Sequence, residues 1–429
     1  MKFQIVKISG HFKEEEEQQK WKRCAVSYGY KWSSTTQRDL VSAAARRRPL
    51  GAGGGEPIDP MPYPPLTMGS GRARGQPGDE APGAAGPRLV VADVDTGVDD
   101  ALALLLLLAA EAAGEVRLLA ITCTVGNTTV QHSARNTLRL LRATNRLDIP
   151  VFVGADTPLV SENMAIRQEQ YHGVDGFGDL DHAAFPGDDA ALDGLVQEES
   201  GVVALHRLTR QHRGQVTLVC LAPLTTAALA VRTYPTFRRD LRELHIMGGN
   251  TMGHGNVTST GEFNFACDPE AAHIVLESVT CPVQITPWET CAQSPIDLDW
   301  RLGTLPARAG GAGGLALELL TAADRSLLQR HGRAQWVTCD ALAVGALLRP
   351  GLVLRAEQRH VAVELAGSRT RGQMVPTCVL RAGACPPDCR GDPGRLNRDA
   401  PPARLVHALD VEAFKDLLLW AAPLWTRAP

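Results

Sequence analysis

The chain has 429 residues, 44 basic against 47 acidic, with 44% hydrophobic and only 5% aromatic content. That is apolar matter enough for a large core, and it argues against a surface built around a polyanion or a stacking platform for single strands. No stretch reaches the roughly 18 uninterrupted apolar residues of a membrane span, and the opening MKFQIVKISG lacks the apolar segment of a signal peptide. A soluble, cytoplasmic protein without nucleic-acid or membrane partners is expected.

Residues 1–87 carry 13 basic and 9 acidic residues, and 49–87 hold 9 Pro and 10 Gly without apolar periodicity. They read as a low-complexity, disordered extension. From Arg88 the texture changes, and 88–429 reads as one catalytic domain. Leu89–Val94 predicts a buried strand, Asp99–Ala113 a helix ended by Gly114, and Val116–Thr124 the next strand, a βαβ unit. The alternation continues with a helix at Thr129–Thr144, strands at Val151–Val153 and Val216–Leu221, and a helix at Leu224–Val231. Next come a strand at Leu244–Met247, a helix at Pro269–Ser278, a strand at Val283–Thr286 and a helix at Asp340–Leu348. Strands at His360–Leu365 and Cys378–Leu380 and a helix at Val411–Trp420 close the chain, while Gly303–Gly314 and Ala382–Ala403 read as irregular. The expected fold is α/β, a Rossmann-like, open and mostly parallel sheet with helices on both faces, whose functional residues follow the carboxyl ends of strands.

Four carboxylates, Asp93, Asp95, Asp99 and Asp100, fall within eight residues at the first such strand end. Asp93 and Asp95, two apart, are expected to share a face, and Asp99 and Asp100 open a helix whose macrodipole favours negative charge. Capping accounts for one or two of these acids, not four. A hard divalent ion with oxygen ligands, Ca²⁺ or Mg²⁺, is the economical neutraliser, since neither His nor Cys lies in the cluster. The ten cysteines are scattered, and the close pair Cys385 and Cys389 in CPPDC suits a loop better than a zinc site. A strand ending in D-x-D also opens aspartyl phosphatases, but these want Thr or Val where this chain has Gly97. There is no phosphate-cradling G-x-x-x-x-G-K-[ST] loop.

The stretch DVDTGVDDALAL resembles the D-x-D-x-G-x-D-D-A signature of the inosine-uridine preferring nucleoside hydrolases, with Thr96 where many members have Pro. Further blocks follow in that family's order: TVGN at Thr124–Asn127, YHGVDGFGD at Tyr171–Asp179, LAPLTTAALA at Leu221–Ala230, and MGGNTMGHGNVTSTGEFNFACDPEAAHIVL at Met247–Leu276. The resemblance covers most of 88–350 and leaves the tail without counterpart. It implies Ca²⁺-dependent hydrolysis of the N-glycosidic bond of ribonucleosides, with one Ca²⁺ per subunit. By position, it makes Asp95 both metal ligand and general base, Asp100 and Asp340 ligands, and Leu221 a ligand through its main-chain carbonyl. Asp99, Asn127, Asn256, Glu262 and Asn264 match ribose contacts, Met247 and Phe263 flank the pocket, and His172 contacts substrate. Asp324–Trp336 forms the wall over the base, and the subunits assemble as homodimers or homotetramers.

Each residue taken singly has a plainer role: Asn127 and Asn256 as turn residues, Asn264 as a helix cap, Met247 as core. One departure stands out. Many members have His before the late metal-binding Asp, where this chain has Cys339, a poorer acid for a departing base. Another group near the base, such as His254 or Trp336, is then expected to assist. The competing readings are a catalytically silent nucleoside- or ribose-binding descendant and an aspartyl phosphatase.

Overall fold

The computed structural model describes residues 86–160, 171–180, 189–309, 314–377 and 400–425. The expected strand at Cys378–Leu380, the pair Cys385 and Cys389, and the extension up to residue 85 lie outside those residues.

The strands are β1 (Arg88–Val94), β2 (Val116–Cys123), β3 (Val151–Val153), β4 (Val216–Cys220), β5 (Leu241–Met247), β6 (Val283–Thr286), a short β7 (Ile296–Asp297) and β8 (Gln335–Trp336), β9 (Val353–Val363), β10 (Met374–Thr377) and β11 (Ala403–Leu409). Nine form one sheet in the order β10-β9-β11-β6-β5-β4-β1-β2-β3; β7 and β8 pair separately. From β3 across to β11 every neighbouring pair is parallel, whereas β9 and β10 add antiparallel strands at one edge. The parallel strands read as continuous apolar runs because helices bury both faces.

On one face pack α1 (Val98–Ala112), α2 (Val130–Ala143), α8 (Gly314–Arg330), α9 (Cys339–Leu348) and α10 (Val411–Ala421); on the other, α3 (Gly201–Gln211), α4 (Thr225–Thr233) and α6 (Pro269–Ser278). The short α5 (Phe263–Cys267) and α7 (Trp288–Ala292) lie at strand ends. Helix α1 is buried from Ala101 to Ala110, which explains its unbroken ALALLLLLAA, and it stops where Gly114 takes φ 76°. Starts follow side-chain caps: Thr129 accepts from His132 N, Asp268 from Ala271 N ahead of Pro269, and Asp410 from Ala413 N.

The expected elements up to α9 and the closing helix recur with small boundary shifts, the strand expected at His360–Leu365 runs from Val353 to Val363, and α3, α5, α7, α8, β10 and β11 are among the additions. Strand β11 follows Pro401 and Pro402 and yet sits inside the sheet, parallel to β6 and antiparallel to β9. Its pairing is set by long-range contacts that local composition does not report. The stretch read as irregular from Gly303 holds a π-helical turn over Trp300–Thr304 and the short helix Leu305–Ala309. Among the described residues no helix is long and apolar enough to cross a membrane.

Sheet order reverses at β1: β2 and β3 continue to one side, β4 and β5 to the other. That switch point opens a crevice beyond the carboxyl ends of β1 and β4, the expected place for a ligand in such a sheet.

Candidate active site

Beyond β1 the chain turns through Asp95 and Thr96 into α1. Asp95 Oδ2 accepts the backbone N–H of Asn127 at 2.7 Å, while Asp95 Oδ1 is buried with no hydrogen-bond donor among the described residues. Asp100 Oδ2 accepts from Gly97 N (2.9 Å) and Asn127 Nδ2 (3.2 Å), and its Oδ1 from Asp95 N (3.3 Å). Asn127, expected at the ribose, therefore also ties the two carboxylates together. Asp99 Oδ1 stands 3.3 Å from His172 Nε2, too poorly aligned for a hydrogen bond, so this buried oxygen too lacks a donor among the described residues, and His172 Nδ1 accepts from Val98 N at 3.3 Å.

The second residue of α9, Asp340, comes to the same point. Carboxylate oxygens of Asp99, Asp100 and Asp340 lie within 4.8 Å of one another. Helices α1 and α9 both aim their positive ends here, a partial compensation for the gathered charge. Burial and then mutual repulsion push Asp95 and Asp340 well above the usual carboxylate range and Asp100 up to about 7. Oxygen-only donors, an undonated buried oxygen on Asp95 and this repulsion suit a hard divalent cation. Asp93 does not join them. Its Oδ1 accepts from Thr122 (2.6 Å) and Thr124 (2.9 Å) on and just after β2, and burial raises it to about 7.

Leu221 follows β4 with its side chain in the core and its carbonyl accepting from Asn264 Nδ2 at 2.7 Å. The same amide donates to Met247 O at 3.1 Å, so Asn264 bridges the ends of β4 and β5. Asn264 caps neither neighbouring helix: Asp268 caps α6, and Glu262 caps the short α5, accepting from Asn264 N, Phe265 N and Gly249 N at 2.7–3.1 Å.

A cleft of about 1160 Å³ opens over these groups. Asp99, Asn127, His172, Leu221, Met247, Asn256, Glu262, Phe263, Asn264, Cys339 and Asp340 all line it, with the buried Asp95 and Asp100 behind them. Thus the sequence-derived set is brought to one place. Of the two groups expected to help a departing base, Trp336 lines the cleft with its indole N–H given to Asp324 Oδ1 (3.2 Å), whereas His254 is exposed and outside the lining. The neighbouring Cys291 thiol and burial push the Cys339 thiol well above its ordinary value.

The far wall, from α8 to β8, matches the expected segment and adds two groups that no motif marked, His331 and Arg333. His331 stacks at 4.6 Å on Tyr171 of the YHGVDGFGD block, and Arg333 lies 5.9 Å over the Tyr171 ring. Behind the wall, fully buried Arg301 in the π-helical turn pairs with Asp324 at 2.7 Å and lies 5.1 Å over Trp336. Local sequence around Arg301 carries no signal for this; only the fold brings the residues together.

The model of the inosine-uridine preferring nucleoside hydrolase family matches residues 90–416. The chain belongs to that family. As a nucleoside hydrolase family member it is a hydrolase of N-glycosyl compounds. It is 33% identical over 348 residues to the non-specific ribonucleoside hydrolase RihC of Salmonella newport, covering 79% of this chain and 98% of the relative. It is 32% identical over 336 residues to the pyrimidine-specific ribonucleoside hydrolase RihA of Shigella flexneri, covering 77% and 96%. Among solved structures, an inosine-guanosine nucleoside hydrolase aligns with a TM-score of 0.66 at 29% identity, over 78% of this chain and 98% of that one. Membership of the nucleoside hydrolase family leaves the D-x-D strand end without weight for a phosphatase.

Proposed function

We propose that this protein hydrolyses the N-glycosidic bond of ribonucleosides to free base and ribose, with Ca²⁺ bound by Asp95, Asp100, Asp340 and the Leu221 carbonyl. The observation that carries this reading is the convergence of Asp95, Asp99, Asp100 and Asp340, from the turn into α1 and the start of α9, beneath a cleft roomy enough for a nucleoside. A hard cation held there would lower the pKa of a water and orient the sugar hydroxyls.

The chain's own groups do the rest. Asp95, its Oδ2 fixed by Asn127 N, has Oδ1 free of other donors to take the proton of the attacking water. Asp99, with His172 Nε2 nearby and its Oδ1 without a donor among the described residues, faces the cleft to accept from a ribose hydroxyl. Asn256 and Asn264 supply amides on the sugar side, and Met247 and Phe263 supply apolar contact. As the glycosidic bond breaks, positive charge grows on the sugar, which the surrounding carboxylates stabilise. Sites built to pair three ribose hydroxyls leave groups unpaired with a deoxyriboside, so ribosides are preferred. The named relatives differ in base preference, and the proposed substrate class is therefore the ribonucleosides as a whole.

Full-length protein with Ca²⁺ and a panel of ribonucleosides is expected to release base and ribose, and Asp95→Asn to abolish release with circular dichroism unchanged. Nucleoside binding without release from any member of the panel would instead favour a silent binding descendant.

A further inference from the structure

The sugar side of the cleft is formed in part by the loop from Asn250 to Gly261, which carries Asn256. This loop has no regular secondary structure and is rich in glycine, so something else must hold its shape. Glu289, the second residue of α7, reaches into it. Its Oε2 accepts from Thr251 N at 2.9 Å, and its Oε1 from Met252 N at 2.8 Å and His254 N at 3.4 Å. The carboxylate is buried, and the residue before it, Trp288, donates its backbone N–H to Gly249 O at 3.0 Å and lines the cleft. On the loop's other side Asn250 donates to His254 O and Thr260 O and accepts from Met374 N on β10.

We propose that Glu289 is a positioning residue for substrate binding: it folds the 250–261 loop around its carboxylate and thereby presents Asn256 to the sugar. The proposal rests on the ribonucleoside reading above. Three amides converging on one buried anion make charge-assisted bonds that a neutral group cannot replace. Glu289→Gln keeps the shape but turns an amide N–H₂ toward a backbone N–H, donor against donor. Glu289 itself does not line the cleft, so its replacement acts on binding through Asn256.

The experiment is a double-mutant cycle of Glu289→Gln with Asn256→Ala, read as kcat and KM for a ribonucleoside and as its Kd by calorimetry. Expected is a KM and Kd raised on the order of tenfold by Glu289→Gln with kcat within about threefold, and little further rise when Asn256 is already Ala. Additive effects of the two changes, an unaltered Kd, or a fall in kcat at constant KM would overturn the proposal. If the unmodified enzyme binds but does not turn over ribonucleosides, the hydrolytic reading fails while the Kd cycle still decides the role of Glu289. Should Glu289→Gln not fold, Asn250→Asp sets acceptors against the two carbonyls on the opposite side of the loop. The same selective loss of affinity is expected there, and its absence counts against the proposal.

Discussion

Gly126 offers a direct test of how closely Asp95, the base in the proposed reaction, is held. It lies in the TVGN turn after β2, outside the left-handed region, so its backbone would accept alanine. Space would not. A Cβ there overlaps Asp95 Oδ2 and stands 2.8 Å from both Asp95 Cγ and Pro223 Cδ. Restoring ordinary contact requires the carboxylate to retreat by roughly 1 Å, which also stretches its 2.7 Å bond from Asn127 N. Overpacking of this kind costs about 1–3 kcal/mol in stability, and a displacement of about 1 Å at a reacting group costs on the order of 100-fold in rate. Gly126→Ala is therefore expected to lower kcat about 100-fold while the protein stays folded. Gly303→Ala, at a glycine with nothing within 4 Å of the added carbon, is the matched control. Release of ribose from a ribonucleoside and thermal unfolding, followed side by side, decide it. If kcat of Gly126→Ala stays within about threefold of the parent, Asp95 is not held as tightly as the geometry demands, and its role as base loses its support.

Two further outcomes concern groups away from the reacting atoms. Arg301→Met strips the guanidinium from the buried Asp324 carboxylate and from Thr321 Oγ1. It is expected to lower unfolding free energy by about 3–5 kcal/mol in urea titrations, and a loss under about 1 kcal/mol would mean that the pair is not compensating a buried charge. Glu243 is held at about 2: burial would raise it, but His245 at 3.4 Å, Arg88 and Thr217 Oγ1 outweigh that. With the folded pKa below the ordinary glutamate value of 4.5, the unfolded chain binds more protons between those values. The stabilisation is then complete above pH 4.5 and is lost as pH falls toward 2. Going from pH 5 to pH 3 should remove about 2 kcal/mol in the parent that Glu243→Gln does not lose; parallel pH profiles of the two proteins would contradict the assignment.

What could be read from the sequence follows the range of the interactions involved. The β1–α1 unit announces itself because a fully buried strand and a fully buried helix need long apolar runs, and the acids between them break that pattern abruptly. The site residues were legible as motifs because most sit within a few residues of a strand end. Their partners were less so. Asn127, expected at the sugar, also bonds through its side chain to Asp100, and the cap weighed for Asn264 belongs to Asp268. Both choices are between neighbouring acceptors that only coordinates distinguish. Glu289, Arg301 and β11 were invisible for a stronger reason, since each acts on chain 20 to 120 residues away.

The same range argument bears on why the acids lie where they do. Asp95, Asp99 and Asp100 come from one turn, and a turn alone would let them spread into solvent. The fold prevents this by closing α9 over α1, which brings Asp340 in among them, and burial first, then mutual repulsion, raises Asp95, Asp100 and Asp340 above the usual carboxylate range. Backbone amides of Asp95, Gly97 and Asn127 and two helix amino ends offset part of that repulsion, yet Asp95 Oδ1 still lacks a donor. A cap can be complete in itself, as Asp268 is with Ala271, Leu159 and Thr225. The Asp95 cluster is incomplete by the same accounting, at Asp95 Oδ1 and Asp99 Oδ1, on the oxygens the proposed reaction would use. Gathered, repelling carboxylates with an oxygen left undonated are what a site built for positive charge, on a cation and on a developing sugar cation alike, is expected to look like.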